Sequence, residues 1–389
     1  MIIVGARCAG STTAMLLARR GYRVLVVDRA TFPSEIISTH VVQPLAVGAL
    51  ARWDLLDRLA ATGCPPIHTY VYDFGQVVLE GCPGTKTHPA AYCPRRTVLD
   101  KLLVDAAAEA GAEIREAFRV DEILLDDRRP IGVKGRSKGG AAIVAYGRVV
   151  IGADGRHSLV ARTVRAGRYH EKPPLLAPYY AYWSGLPMHG RFETYVRPHR
   201  AFAAAATHDG LTMTIGGWPY TEFDANKKDF AGNFLRLFDL VPEFAGRLRA
   251  ATRQSAIVGL PVSNFFCKPF GPGWALVGDA GYTKDPITGQ GIHDAFSDAE
   301  RCATALDQAL SGARSFDDAM GEYQRSRDQH ALPMYELTCH LATLEPPEPA
   351  KQRLLAAIQG NQEAMDAYAQ MHAGTISPAE FDARTSALS

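Results

Sequence analysis

The sequence of 389 residues predicts an α/β protein with a Rossmann-like parallel sheet, an inserted and mostly antiparallel β-sheet, and a helical C-terminal tail. Three observations predict this architecture. Residues 2–28 follow the order strand, glycine turn, helix and strand, and this βαβ order builds parallel sheets. Between residues 168 and 268, aromatic residues alternate with small and polar ones, which is typical of antiparallel strands. After residue 320, helical patterns are interrupted by prolines.

The N-terminal unit begins with the apolar run Ile2-Ile3-Val4, which suits a buried parallel strand. A glycine-containing turn over residues 5–10 follows, and apolar residues at helical spacing then predict a helix over residues 11–20. Residues 23–28 form the second strand, which ends in an acidic residue. The unit therefore places a turn, a helix N-terminus and a carboxylate near one another.

The other elements are predicted from local patterns and caps. One helix is expected to begin with Thr97 as its cap and to end at Gly111. In the tail, Pro333 is expected to interrupt a helix, and Ser377 to cap the last one. The remaining predictions are a hairpin over residues 126–147, buried strands at 149–151 and 274–277, and helices near 230–238 and 292–310.

Composition excludes several classes of protein. The chain has 42 Lys and Arg residues against 41 Asp and Glu residues, so it lacks the positive charge of a dedicated nucleic-acid binder. Its 7 cysteines are scattered without a Cys-x-x-Cys pair, and its 12 histidines are dispersed, so we expect reduced thiols and no metal site. No transmembrane segment or signal peptide is evident, and we expect a cytoplasmic enzyme.

The first motif is Gly5-x-Arg7-x-x-Gly10, followed by Asp28 at the end of the next strand. In a dinucleotide site, glycines let the backbone approach the pyrophosphate, and the acid accepts hydrogen bonds from the adenosine ribose. Arg7 occupies the position of the usual middle glycine. It could crowd the phosphates or bind them, and we favour binding because a guanidinium suits phosphate oxygens.

Two further motifs follow buried strands. Residues 149–158 contain Gly152-Ala153-Asp154-Gly155, and residues 276–291 contain Gly278-Asp279 followed by a proline- and glycine-rich loop that enters a helix. Such a loop aims helix N-terminal amides at a group that gains negative charge. Each motif alone is equally compatible with an ordinary turn. Their order and spacing are more specific than any one of them.

The three motifs in this order resemble the class A FAD-dependent monooxygenases of the p-hydroxybenzoate hydroxylase-like superfamily, which is related to geranylgeranyl reductases and flavin-dependent halogenases. The resemblance implies a GR2-type FAD-binding domain over residues 1–70, 95–167 and 269–320, a substrate-binding sheet domain over 71–94 and 168–268, and a helical region over 321–389. It assigns cofactor binding to Gly5, Arg7, Gly10, Asp28, Arg29, Arg96, Asp154, Gly155, Gly278, Asp279, Gly289 and Gly291.

The resemblance also implies an activity. We expect a flavin C4a-hydroperoxide to hydroxylate or epoxidise an apolar, aromatic or polyketide-like small molecule in secondary metabolism. Electrons would come from NAD(P)H, bound near Asp154 and Arg162, or from a partner flavin reductase, and the enzyme would be a monomer or a homodimer. Pro286 and His40 would lie near the flavin ring, although a single histidine is often structural. The proposed substrate contacts are Tyr180, Tyr182, Phe202 and Trp218.

Other functions stay open. A related reductase would saturate isoprenoid double bonds without oxygen, and a non-catalytic flavin-binding protein would act as a sensor or scaffold. Halogenation is disfavoured, because the Trp-x-Trp-x-Ile-Pro motif of halogenases is absent, the nearest match being residues 182–187. The chain departs from the usual pattern of the superfamily at Arg7, Tyr282, Thr288 and His293.

Overall fold

The computed structural model describes residues 1–388 of the protein. Its strands are β1 (Ile2–Val4), β2 (Leu25–Val27), β3 (Pro66–Ile67), β4 (Thr69–Asp73), β5 (Val78–Gly81), β6 (Ala91–Tyr92), β7 (Glu113–Arg115), β8 (Phe118–Asp126), β9 (Arg129–Ser137), β10 (Ile143–Tyr146), β11 (Val150–Gly152), β12 (Arg168–Lys172), β13 (Leu176–Ser184), β14 (Arg191–Arg197), β15 (Arg200–Ala206), β16 (Leu211–Pro219), β17 (Thr252–Arg253), β18 (Val258–Gly259), β19 (Asn264–Cys267), β20 (Phe270–Gly271), β21 (Trp274–Leu276) and β22 (Tyr282–Thr283). Its α-helices are α1 (Cys8–Ala18), α2 (Pro44–Arg52), α3 (Leu56–Ala60), α4 (Arg96–Glu109), α5 (Leu159–Thr163), α6 (Phe223–Asn226), α7 (Phe230–Phe238), α8 (Pro242–Arg249), α9 (Gly291–Leu310), α10 (Phe316–Ala342), α11 (Pro349–Ile358), α12 (Gln362–Ala373) and α13 (Pro378–Thr385).

The first sheet has the strand order β20-β21-β11-β1-β2-β7. Strands β21, β11, β1, β2 and β7 are parallel, so Ile3 is paired with Ile151 on one side and Val26 on the other. Helix α1 packs between α4 and α9 on this sheet, and the apolar residues between them form the largest buried cluster. The predicted βαβ unit and Rossmann-like sheet are confirmed. This arrangement brings the ends of β1, β11 and β21 to one edge.

The second large sheet has the order β17-β13-β16-β15-β14-β4-β5, with β18 also paired to β13. Neighbouring strands are antiparallel except for β14 and β4, which are parallel. Because side chains alternate between faces, Tyr180 and Tyr182 lie on one face, while Tyr179 and Trp183 lie on the other. Helices α7 and α8 cover the second face, and α11, α12 and α13 pack against the first. The predicted inserted, mostly antiparallel sheet is confirmed.

Most local predictions agree with the structure. The hairpin is β9–β10, the helices near 230–238 and 292–310 are α7 and α9, and the Ser377 hydroxyl accepts the amide of Glu380 at the start of α13. The Thr97 cap is wrong, because α4 already begins at Arg96 and places Thr97 in its first turn. The predicted break at Pro333 is also wrong, because α10 runs through it. Proline removes one backbone donor, and the buried face of α10 on both sides of Pro333 compensates for that loss.

Candidate active site

The glycine loop after β1 packs directly against the second motif. Gly5 has a φ of +105°, and a Cβ there would lie 2.3 Å from the carbonyl oxygen of Ala153. A Cβ on Gly10 would lie 1.8 Å from the carbonyl oxygen of Gly5. Only glycine fits these two positions, because any side chain would separate β1, β11 and α1. These contacts hold the loop tightly against the end of β11 and at the N-terminus of α1, which is the arrangement of a dinucleotide-binding turn.

The carboxylate of Asp28 is tied to this loop. It accepts the amide of Ala6 at 2.7 Å and the amide of Ala30 at 2.8 Å. The side chain thus stands beside the glycine loop at the end of β2. Arg29 next to it is exposed and forms no hydrogen bond or ion pair with any residue between 1 and 388.

A buried ion cluster lies behind the loop. Arg96 donates from Nε and Nη2 to Asp100 Oδ1 at 3.0 and 2.8 Å, and Arg7 Nη1 donates to Asp100 Oδ2 at 2.5 Å. Asp100 is fully buried, and Arg7 also donates to Ser34 Oγ at 3.0 Å. Two guanidinium groups therefore share one carboxylate, and the cluster carries a net positive charge. No role was assigned to Asp100 from the sequence, because its two partners are brought to it by the fold.

Asp279 is exposed and lies within electrostatic range of Arg96 in that cluster, and we call the region between Asp279, the glycine loop and the start of α9 the cleft. It follows Gly278, whose φ is +56°. A Cβ added at Gly278 would lie 2.8 Å from the Cβ of Ala9. The carboxylate is open to the cleft and has no hydrogen-bond or ion-pair partner in the described part of the chain. The surrounding protein raises its pKa through desolvation and the charge of Asp294, while Arg96 opposes this shift. Asp279 is therefore an acceptor that lacks a donor.

The third motif continues into a turn over Pro286–Thr288 and then into α9. Gly289 has a φ of +63°, and a Cβ on Gly291 at the start of α9 would meet only open space. The buried Gln43 fixes the loop by donating to the carbonyl of Thr288 at 3.1 Å, while Tyr70 donates to Gln43 at 2.7 Å. The amide end of a 20-residue helix thus faces an open cleft.

In the second motif, Asp154 and Gly155 lie in the turn between β11 and α5. Asp154 accepts the amide of Leu159 at 2.6 Å, so it helps to start α5. Its second carboxylate oxygen is buried without a partner among residues 1–388, and burial raises its pKa. Gly155 has a φ of +77°, and its α-carbon faces open space.

His40 is fully buried and held from both ring nitrogens. Nδ1 lies 2.7 Å from the carbonyl of Ser38, which can only accept, so Nδ1 carries the proton. Nε2 then accepts the hydroxyl of Tyr182 at 2.6 Å. Burial lowers the pKa of His40 to about 3, so its ring is neutral at pH 7. His40 therefore orients Tyr182, whose ring also lies 5.7 Å from that of Tyr180.

An apolar cavity of about 480 Å³ lies between the second sheet, the Pro286–Gly289 turn and the tail helices. Its walls include Met213 and Ile215 from β16, Leu337 from α10, Leu355 from α11 and Met371 from α12. Sequence reasoning gave the tail no functional role. The spacing of Tyr368 and His372, four residues apart on one helix face, was the signal that could have indicated one.

The four aromatic residues proposed for the substrate do not meet in this cavity. Tyr180 and Tyr182 lie on the same face of the sheet but in the cluster with His40. Phe202 borders the cavity, yet its ring stacks on Tyr195 on the opposite face. Trp218 stacks on Tyr179 on that opposite face, beneath α7. The alternation of side chains along each strand explains the separation.

The cleft fits a dinucleotide with a polyol chain. The N-terminus of α1 after the glycine turn suits phosphate, the N-terminus of α9 suits an anionic ring edge, and the unpartnered Asp279 suits hydroxyl donors. A family model described as an FAD binding domain matches residues 1–338. The chain belongs to this FAD-binding family. It is an FAD-dependent oxidoreductase, and the sequence resemblance to the monooxygenase superfamily is confirmed.

Two curated relatives illustrate the range of activities. The chain is 27% identical over 383 residues to digeranylgeranylglycerophospholipid reductase 1 of Methanopyrus kandleri, covering 94% of this chain and 96% of the reductase. It is 24% identical over 353 residues to tryptophan 2-halogenase of Chondromyces crocatus, covering 85% of this chain but only 65% of the halogenase. The activities of both relatives enter here only as candidates.

Solved structures share the fold. The myxobacterial chondrochloren halogenase CndH superposes with a TM-score of 0.81 at 22% identity, covering 96% of each chain. PqsL of Pseudomonas aeruginosa, described as a probable FAD-dependent monooxygenase, superposes with a TM-score of 0.73 at 22% identity, covering 95% of this chain and 98% of PqsL. From residue 1 to residue 388, no helix is long and apolar enough to cross a lipid bilayer.

We expect Asp279→Ala to weaken FAD binding by about 10- to 100-fold, because a hydrogen bond to a charged acceptor contributes about 1.5–3 kcal/mol. The Kd is measured by quenching of FAD fluorescence, and the flavin-to-protein ratio by absorbance after gel filtration. Asp239→Ala, which removes an exposed carboxylate at the end of α7, is the control and should bind FAD normally. Equal FAD affinity in both variants would exclude a role for Asp279 in holding the cofactor.

We expect Asp285 to make the free energy of unfolding depend on pH. It is almost fully buried, and burial raises its pKa to about 7, while the same carboxyl ionises near pH 4 in the unfolded chain. The folded state thus holds an extra proton between these values, so stability falls as the pH rises through this window. Asn at this position keeps the acceptor for the amide of Ile287. The free energy of unfolding of Asp285→Asn, measured relative to wild type by urea unfolding with saturating FAD, should therefore rise by about 2–3 kcal/mol from pH 5 to pH 8. A pH-independent difference between the two proteins contradicts this assignment.

Proposed function

We propose that the protein is an FAD-dependent monooxygenase that hydroxylates or epoxidises an apolar small molecule. The observation that carries this proposal is the apolar cavity of about 480 Å³, which has the Pro286–Gly289 turn as part of its wall. Oxygen transfer needs the acceptor molecule against the cofactor and needs water kept out. An apolar cavity with the sheet on one side, tail helices on the other and the turn in its wall supports both requirements. Its size and lining suit aromatic or polyketide-like molecules.

In this proposal, the residues around the cleft hold the cofactor. The tight turn at Gly5 and Gly10 directs the N-terminus of α1 toward the pyrophosphate, Asp28 faces the adenosine ribose, and Asp279 accepts hydrogen bonds from the ribityl chain. Arg96 contributes positive charge beside the cleft. FAD, when bound and reduced by NAD(P)H or by a partner reductase, would carry the two reducing equivalents and would activate dioxygen.

The residues near the turn have separate tasks. Pro286 and Gly289 shape the wall shared by the cofactor cleft and the cavity. Amides at the start of α9 stabilise negative charge on the ring edge that faces them. His40 acts as a positioning residue that keeps the Tyr182 hydroxyl on Nε2, and its neutral ring keeps a positive charge out of the site.

The second candidate is a reductase of isoprenoid double bonds. The match to the Methanopyrus kandleri reductase along nearly the whole length of both chains favours it, and an apolar cavity would also accept an isoprenoid chain. Halogenation is the weaker third candidate, because residues 182–187 lack the Trp-x-Trp-x-Ile-Pro pattern. We place the enzyme in the cytoplasm, with NAD(P)H or a partner reductase as its electron source.

The test uses the FAD-loaded enzyme, NADH or NADPH, and a panel of aromatic, polyketide-like and isoprenoid molecules. Under ¹⁸O₂, the proposal expects oxygen uptake that depends on substrate and products that carry one ¹⁸O atom. A product that gains two hydrogens without oxygen would establish the reductase instead. A second set with an added flavin reductase covers an external electron source. Absence of ¹⁸O from every product in both sets contradicts the proposal.

A further inference from the structure

One end of the cavity carries polar groups that the proposed chemistry does not use. Helix α12 packs against β5 and brings Tyr368 and His372 into the cavity wall, opposite Tyr72 of β4. The ring centroid of His372 lies 4.8 Å from that of Tyr72 and 4.3 Å from that of Tyr368. The rest of the lining in this region is largely apolar, including Leu355 and Met371.

The hydrogen bonding of His372 defines what it can offer to a ligand. Its Nδ1 lies 3.0 Å from the carbonyl of Tyr368, which can only accept, so Nδ1 carries a proton. Burial lowers the pKa of the ring to about 4, and the ring is neutral at pH 7. Nε2 therefore presents a lone pair, and it has no hydrogen-bond partner within the described residues.

The two neighbouring hydroxyls are also free. No residue in the range 1–388 forms a hydrogen bond with the hydroxyl of Tyr72 or of Tyr368. Burial raises the pKa of both phenols, so they stay protonated. An unpaired polar group in an apolar surrounding destabilises the protein, and a ligand that pairs with it removes this cost.

The charged side chains of the cavity lining as a whole do not add up to a positive charge. Lys351 lines the cavity, with its Nζ 5.6 Å from the ring centroid of Tyr368, and burial lowers its pKa. Glu345 and Glu348 line the same cavity, so the three charges sum to −1. A carboxylate ligand would find no net attraction here, and it would bring no donor to the lone pair of His372.

We propose that His372 accepts a hydrogen bond from the substrate, so that the substrate is an uncharged, largely apolar molecule with a phenolic, alcoholic or amine donor. This inference rests on the proposed function in taking the cavity as the substrate site. Gln290, which follows the Pro286–Gly289 turn, donates to the carbonyl of His372 at 2.9 Å. Because of that hydrogen bond, the backbone at His372 and the loop beside the proposed cofactor site keep a fixed relative position, and so would the donor group of a substrate bound to His372. His372 is thus the specificity-determining residue of the cavity.

The test measures binding to the FAD-loaded enzyme with three probes of one skeleton: 2-naphthol, 2-methoxynaphthalene and 2-naphthoate. Dissociation constants come from titration calorimetry and from changes in flavin absorbance. We expect 2-naphthol to bind at least about 10-fold more tightly than either other probe. His372→Phe should remove this preference, and His372→Gln, which restores an acceptor, should recover part of it. His68→Phe, at an exposed histidine outside the cavity, should retain the preference.

Each outcome decides the inference. Equal affinity for 2-naphthol and its methyl ether, tighter binding of 2-naphthoate, an unchanged preference in His372→Phe, or binding of none of the probes would overturn it. Failure of the proposed function is seen separately, as a donor-dependent binding preference without ¹⁸O in any product. Conversely, oxygenation without the binding preference would leave the proposed function standing and remove the role of His372.

Discussion

Asp100→Ala is expected to lower the free energy of unfolding by about 3–5 kcal/mol, because it leaves Arg7 and Arg96 without their shared carboxylate. Both guanidinium groups are more than half buried, and Asp100 accepts from each of them at 3.1 Å or less. The loss arises from the desolvation of two positive charges that no longer have a counter-ion. The measurement is urea unfolding of the FAD-saturated protein, followed by circular dichroism and flavin fluorescence.

The same helix offers a matched control. Lys101 and Asp105 form an ion pair one turn further along α4 with the same four-residue spacing, but both side chains are about 40% exposed. Solvent screens such a pair, so Asp105→Ala should change the stability by no more than about 0.5 kcal/mol. Similar losses in the two variants would mean that burial of the Asp100 cluster does not determine its contribution.

Sequence patterns were sufficient where the cause of the structure is local or where only one residue type fits. The apolar run at Ile2–Val4 predicted a buried strand because both faces of a parallel sheet are covered. Gly5 and Gly10 were singled out by spacing, and the structure shows contacts of 2.3 and 1.8 Å that a Cβ would make at these positions. The alternation along β13 was visible as well, since Tyr180 and Tyr182 share a face. Such features depend on residues within one element.

Features that depend on distant parts of the chain were not predictable in the same way. Binding of phosphate by Arg7 stays a prediction, and no local pattern indicated that its Nη1 also donates to Asp100, 93 positions further along the sequence. The face occupied by Trp218 depends on the register of β16 against β13, which no single strand defines. The tail became part of the site only because α12 returns to β5. Long-range packing decided each of these placements.

Hydrogen bonds connect the tail helices to the Pro286–Gly289 turn and to Gln290 after it. Thr288 in the turn lies 2.8 Å from Thr338 of α10 through their hydroxyls, and Gln290 donates to the backbone of α12. The cavity is therefore bounded by elements that cannot move independently of the turn without breaking these hydrogen bonds. In the proposed function, these hydrogen bonds would limit the movement of a bound molecule relative to the turn.

Ala203→Trp is expected to fill the cavity and weaken binding of 2-naphthol by at least about 100-fold, which corresponds to about 2.7 kcal/mol. Ala203 lies on β15 in the cavity wall, while its neighbours Phe202 and Ala204 pack on the opposite face. The indole therefore enters the empty cavity, and helices α7 and α8 on the opposite face of the sheet stay undisturbed. Because the cavity is already open, the substitution avoids the overpacking that a filled core would suffer.

The readouts for Ala203→Trp separate the cavity from the cofactor cleft. FAD affinity and the midpoint of urea unfolding should match those of wild type, while 2-naphthol binding and substrate-dependent oxygen uptake should fall together. Ala250→Trp, at the exposed end of α8, introduces the same side chain far from the cavity and should change none of these quantities. Unchanged affinity of Ala203→Trp for 2-naphthol would place the binding site elsewhere. If the affinity for FAD falls together with the affinity for 2-naphthol, the cavity wall and the turn cannot be altered independently.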